Sequence, residues 1–248
     1  MIGRIVTSII EKSQRETLAY KNLQYLKYRI GKLGNIHNHV GVRRRLDQAL
    51  ASLGEGPRNI QFGAGSGYLN EAAETTIEGY VDTDIFGSLP VNVTKKLPLD
   101  DNAVDTVFSS HLIEHLHQIE IDVFISESAR VLRPGGRMVT ATPSYEKVAN
   151  LVYGTNGPRR DALYEIHGRA MFDRNPTPAR TLNCLGHINY GHKFLLDFET
   201  YTDPCLTQGF ARVEHVEQVD IEDPGLKRFF AEKEAHYWLE TEIWIATK

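Results

Sequence analysis

Cysteine is nearly absent: Cys184 and Cys205 are the only two in 248 residues. Two thiols make no disulfide framework, which excludes the small secreted scaffolds that depend on bridges, and a reducing cytoplasm is the expected compartment. No stretch approaches the roughly 18 apolar residues of a membrane span. Residues 1–12 are too short and too charged to read as a signal peptide. The chain also lacks internal repeats, low-complexity tracts and any basic patch interleaved with aromatics, so nucleic acid is not an expected partner. What remains is ordinary globular composition, 41% hydrophobic and 24% charged, enough for one sizeable domain and its core.

Net charge is small in total and uneven in place. The net charge is −4, yet residues 1–50 hold 10 Lys/Arg against 3 Asp/Glu. That basic segment suits an acidic acceptor, a membrane surface or the chain's own acidic body. Ile2, Ile5, Val6, Ile9 and Ile10 share one helical face, which would pack on the body, on a partner subunit in a homodimer, or at a membrane interface. Residues 1–53 read as a helical extension, its last helix starting at Arg43-Arg44-Arg45 and running to about Leu53.

From Arg58 the rhythm changes to strands alternating with helices, the pattern of a parallel sheet covered on both faces. Strands are predicted at Asn59 to Phe62, Glu78 to Asp84, Leu89 to Val93, Val104 to Ser109 and Arg137 to Ala141. Helices are predicted from Tyr68 to Glu74 and from Ile119 to Leu132, with a turn at Arg133-Pro134-Gly135-Gly136. Residues 144–192, rich in Gly, Pro, Asn, Arg and His, lack that rhythm, as functional insertions do. Phe198 to Gly209 then reads as a helix, and Phe210 to Val219 and Thr241 to Thr247 as late strands.

The first chemical motif is Gly63-Ala64-Gly65-Ser66-Gly67, directly after a strand. Glycines there allow positive φ and close approach of a ligand to the backbone. A dinucleotide fingerprint wants Gly-x-Gly-x-x-Gly, and Tyr68 stands in the third glycine's place, so the loop suits another nucleoside better than NAD. A plain turn is the competing reading. About 20 residues on, a strand runs into Asp82 and Asp84; either could accept both ribose hydroxyls, or cap the next helix.

With those pieces in order, the sequence resembles the class I S-adenosylmethionine-dependent methyltransferases, type 11 branch. The resemblance spans about residues 58–143. It adds Leu97-Pro98-Leu99-Asp100-Asp101-Asn102-Ala103-Val104-Asp105, Ser109-Ser110-His111-Leu112-Ile113-Glu114-His115-Leu116, Arg130 to Gly136 and Ala141-Thr142-Pro143. It implies a Rossmann-like, seven-stranded, mostly parallel sheet with a reversed last strand, occupying residues 54–248, with 144–196 as a substrate-covering lid. It places Gly63, Ala64 and Gly65 under the methionine part of the cofactor, Asp84 at the ribose, Asn92 and Val93 near the adenine, and Ser110 in the cofactor site. Gln61 departs from the pattern, standing where an acid usually helps hold the cofactor's ammonium group; its side chain can still accept a hydrogen bond.

The histidines carry the remaining candidates. His111-x-x-Glu114-His115 has a spacing that two zinc ligands on a helix would use, but it falls just past a strand, where the resemblance puts the acceptor pocket. His111 is therefore a candidate for substrate contact and base chemistry, while Glu114 and His115 would fix the loop by hydrogen bonds. His187 and His192 flank Tyr190 in the insert; His192 is the second candidate base, a structural histidine is the alternative, and a divalent metal held by His and Asp is a third reading. No metal ligand set is assigned. Pro204-Cys205, Tyr237, Trp238 and Trp244 read as turn and core, and Arg159, Arg160 and Arg169 as solvated surface or a grip on an anionic acceptor.

These readings converge on methyl transfer from S-adenosylmethionine to a small-molecule or sugar hydroxyl by direct in-line displacement, the nucleophile held about 3 Å from the methyl group. The string Ser109-Ser110-His111-Leu112 lacks the Asn/Asp-Pro-Pro-aromatic motif of nucleobase amine methylation. A cofactor-binding protein without turnover, kept open by Gln61, and N- or C-methylation of a small metabolite are the competing functions.

Overall fold

A computed structural model describes residues 39–65, 76–85, 88–154, 157–165, 175–188 and 191–248. Among these, six strands form one sheet. They are β1 (Asn59–Phe62), β2 (Tyr80–Thr83), β3 (Val104–Ser110), β4 (Leu132–Pro143), β5 (Arg212–Val216) and β6 (Thr241–Thr247), in the order β2-β1-β3-β4-β6-β5. The first four run parallel to one another, while β6 lies antiparallel between β4 and β5. The expected reversed last strand is present.

Side chains alternate across this sheet and so build two cores. Ile60, Phe62, Val107, Met138, Trp244 and Ala246 point to one face, while Phe108, Val139, Ala141 and Ile243 point to the other. The first face is covered by helices α1 (His39–Ser52), α2 (Gln118–Val131) and, after the insert, α6 (Phe198–Thr207). The second receives α7 (Pro224–Ala231), through Leu226, Phe229 and Phe230. Helix α2 buries Ile121, Phe124, Ile125 and Ser128, a helical spacing that makes one apolar stripe. It starts at a capping box in which Glu120 accepts from the backbone N–H of His117 at 3.0 Å.

Three expectations need correcting. Leu89 to Val93 is not a strand: one isolated bridge joins Asp84 to Pro90. Pro90 has no N–H to donate to a ladder, and the Asn92 side chain turns the chain by accepting from the backbone and hydroxyl of Thr94 at 3.0 and 2.8 Å. The described sheet thus has six strands, not seven. The turn at 133–136 is absorbed into β4 as a bulge, where pairing with β3 jumps from Val104–Leu132 to Thr106–Arg137 and Gly135 takes φ +78°. The last N-terminal helix begins at His39, not Arg43, and its Arg43 pairs with Asp100 at 2.5 Å. The described part of the basic segment therefore meets the chain's own acidic body. The apolar face at residues 2–10 and the helix from Tyr68 to Glu74 lie outside the described residues.

The described insert is helical rather than irregular. It forms α3 (Tyr145–Tyr153), α4 (Pro158–Leu163), α5 (Pro178–Asn183) and a π-helical turn over Cys184–Ile188. Pro158 and Pro178 sit at helix starts, where the missing N–H costs nothing. Val148, Val152, Leu163, Leu182 and Leu185 close a small third core with Leu239, from helix α8 (Tyr237–Glu240). No helix among the described residues is long and apolar enough to cross a membrane.

Candidate functional site

Parallel strands β1, β2 and β3 end on one edge of the sheet, and their following loops meet there. After β1, Gly63 and Gly65 adopt φ of +71° and +74°, a region that L side chains avoid. A Cβ on Gly63 would stand 3.0 Å from the Leu112 side chain, so this turn packs directly on the loop after β3. Among the described residues, nothing lies within 4 Å of a Cβ placed on Gly65. Ala64 is buried and donates its N–H to Thr83 at 3.0 Å. Gln61 is buried at 1% exposure within β1, and its carbonyl accepts from the Thr83 hydroxyl at 2.8 Å.

Asp84 follows β2, and its Oδ2 accepts from the Gly65 N–H at 3.0 Å. A carboxylate beside a glycine-lined backbone fits a nucleoside, whose paired ribose hydroxyls need acceptors. Asn92 is half-buried with its carbonyl committed to Thr94, and Val93 belongs to the first core. Ser110 ends β3, its hydroxyl 2.9 Å from that of Tyr237.

His111, the next residue, has φ +50°. Its ring is fixed on three sides. Nδ1 lies 3.2 Å from Glu114 Oε1, Nε2 lies 2.9 Å from Thr241 Oγ1, and the Tyr237 ring packs at 4.9 Å. Glu114 is fully buried on the 3-10 turn Ile113–His115, and its Oε2 accepts from the Thr142 hydroxyl at 3.1 Å. Burial alone would raise the Glu114 carboxyl, but the hydrogen bond from His111 and the surrounding imidazoles hold it well below the usual range. For His111, burial lowers the imidazole, and the bond to Glu114 and its charge overcome this and raise it.

His192 comes to the same carboxylate from the insert. It is 5% exposed, its Nδ1 donates to the Leu185 carbonyl at 2.7 Å, and its ring lies 4.9 Å from that of His115. Burial lowers its pKa, so it is held neutral. One ligand atom from each of Glu114, His115 and His192 lies within 4.8 Å of the others. The two expected bases thus both come close to Glu114. The zinc spacing read along the sequence fails, because His111 lies outside the short turn and the histidine that joins Glu114 and His115 is His192. His187 is exposed on the π-helical turn.

Of the remaining candidates, Cys205 is buried within α6, its thiol pushed up to about 12 by burial, and Trp244 fills the first core. Arg160 pairs with its neighbour Asp161 and lies 5.1 Å from the Tyr164 ring; Arg169 is outside the described residues. Tyr237 does more than pack, since it contacts both Ser110 and His111. Thr241 was missed altogether. Its hydroxyl meets His111, and its carbonyl accepts from Lys147 Nζ at 2.7 Å. No local motif marks such a residue, because its partner lies 130 positions away.

Residues 60–140 match the family model of the methyltransferase domain, type 11. No curated protein matches the chain. Among solved structures, an S-adenosylmethionine-dependent methyltransferase from Mesorhizobium loti is 17% identical with TM-score 0.45, over 83% of this chain and 96% of that one. One from Archaeoglobus fulgidus is 17% identical with TM-score 0.44, over 85% and 94%. A Haloferax volcanii complex between the Trm112 methyltransferase activator and a methyltransferase gives 18% and 0.41, over 87% and 92%. At these scores nothing about acceptor or partner carries across.

Proposed function

We propose that this chain, an S-adenosylmethionine-dependent methyltransferase by the family of its residues 60–140, transfers the methyl group to a hydroxyl of a small molecule or a sugar. The observation that carries the hydroxyl reading is the His111 imidazole, held between Glu114 and Thr241 on the loop that packs against Gly63.

In this reading Gly63, Ala64 and Gly65 line the cofactor's methionine part, Asp84 takes the ribose hydroxyls, Gln61 and Ser110 border the site, and Asn92 and Val93 flank the adenine. When bound, the cofactor supplies a methyl group already made electrophilic by its sulfonium. The protein's task is then to hold the oxygen in line and keep water out. Glu114 takes the Nδ1 proton of His111 in a hydrogen bond, which leaves Nε2 as the basic atom. An acceptor hydroxyl displaces Thr241 as the partner of Nε2 and gives it the proton as the new C–O bond forms. His192, buried and bonded to Leu185, is a positioning residue behind Glu114 rather than a second base. The insert, 144–196, covers the acceptor. Two buried thiols, unpaired among the described residues, fit a cytoplasmic setting.

His111→Ala is expected to lower kcat on the correct acceptor by about 10²–10⁴-fold, with S-adenosylhomocysteine affinity within about twofold of the parent. Calorimetry with S-adenosylhomocysteine beside NAD, then mass-spectrometric screening of sugars and phenols, reads both. Equal turnover by His111→Ala, or methylation of amines alone, overturns the hydroxyl assignment.

A further inference from the structure

One side-chain cluster beside the site has chemistry that exceeds what methyl transfer needs. A buried carboxylate at Glu114 is already balanced by His111 and capped by Thr142. Two more imidazoles, His115 and His192, nevertheless converge on it, bringing one ligand atom from each of the three residues within 4.8 Å. Neighbouring donors around a tetrahedral zinc with bonds near 2.0–2.1 Å stand roughly 3.3–3.5 Å apart. Small side-chain rotations therefore close the gap.

The surroundings are those a ligand set requires. His192 Nδ1 donates to the Leu185 carbonyl, the outer hydrogen bond that fixes the tautomer of a metal-binding histidine and directs Nε2 to the ion. The two Glu114 oxygens have enough lone pairs to keep His111 and Thr142 while binding an ion. The backbone agrees: the Glu114 carbonyl accepts from Lys193 N at 2.8 Å, fastening the residue after His192 to the same turn. Glu114 and His115 belong to the 3-10 turn after β3, and His192 to the end of the insert.

We infer that Glu114, His115 and His192 form a binding site for a zinc-class divalent cation, which clips the insert's exit to the turn after β3. Two imidazoles and one carboxylate favour zinc or ferrous iron over magnesium or calcium, which prefer all-oxygen shells. The site stands on these three side chains and not on the assigned acceptor.

The test is calorimetric titration of the full chain, stripped with a chelator, using zinc chloride and, without oxygen, ferrous salt. One equivalent should bind, with affinity at least roughly tenfold lower in His115→Ala and in His192→Ala. His187→Ala, altered on the exposed π-helical turn, should bind as the parent does. X-ray absorption at the zinc edge of the unmodified protein gives a second reading that does not depend on the variants folding: imidazole and oxygen scattering, with no sulfur. S-adenosylhomocysteine binding by the stripped protein is measured in parallel, so loss of the cofactor reading and loss of the metal reading are separable. Absence of stoichiometric binding, retention in the His115→Ala/His192→Ala double variant, or sulfur in the metal's shell overturns the inference.

Discussion

Gly63 is glycine for two independent reasons, a φ of +71° and the Leu112 side chain 3.0 Å from where a Cβ would stand, whereas Gly65 has only the first. The two substitutions should therefore differ. Gly65→Ala is expected to cost about 1 kcal/mol in left-handed strain, and Gly63→Ala about 2–3 kcal/mol once the clash is added; thermal unfolding ranks them. S-adenosylhomocysteine titration should show Gly63→Ala also weakening the cofactor, because its loop must shift. These residues and Asp84 were legible in the sequence because strand, loop and acid are nearly contiguous. Tyr237 and Thr241 were not, because a side chain that completes a site from across the sheet leaves no spacing to read.

At the scale of elements, α2 was predicted within a residue or two because its stripe and its cap are both local. The arginine near its end was only a letter in a family string, and the structure gives it a role. Arg130 grips Glu127 with two nitrogens at 3.0 and 2.7 Å, and reaches Asp101 and the carbonyls of Leu97 and Leu99. Leu97 N–H closes the set on Glu127 at 2.7 Å. One ion pair thus fastens residues 97–101 to the helix. Burial alone would raise the Glu127 carboxyl, but Arg130 and the Leu97 amide bring it below its ordinary value. The sign follows: the stabilisation is complete above the unfolded value of about 4.3 and is lost as pH falls through the lower folded value. Glu127→Gln should be less stable than the parent by about 1–3 kcal/mol at pH 7, with the gap shrinking toward pH 3, as denaturant midpoints across that range would show. The third strand and the insert were misread for a shared reason. The effect of a proline depends on its position, which composition does not show: Pro90 denies a ladder its donor, and Pro158 and Pro178 begin helices.

The whole molecule depends on β6. It pairs with β4 along seven residues and with β5 along five, and it carries Ile243, Trp244 and Ala246 into both cores. A chain ending at residue 240 should lose cooperative unfolding altogether, rather than merely shift its midpoint, because two strands and both cores lose their common neighbour; scanning calorimetry distinguishes the two outcomes. The late strand was expected at Thr241 to Thr247, where it lies, and its reversed direction was implied by the family resemblance, but its place between β4 and β5 was not legible in the sequence.

That placement has a consequence during synthesis. The glycine turn at residues 63–65 follows the first described strand, whereas Thr241, the partner of His111, opens the last one. A polypeptide synthesised only as far as β5 therefore presents the glycine turn without the hydroxyl that partners His111. Under the proposed function, His111 gains its hydroxyl partner only when the sheet closes around β6, so the base is oriented by folding and not by its own loop.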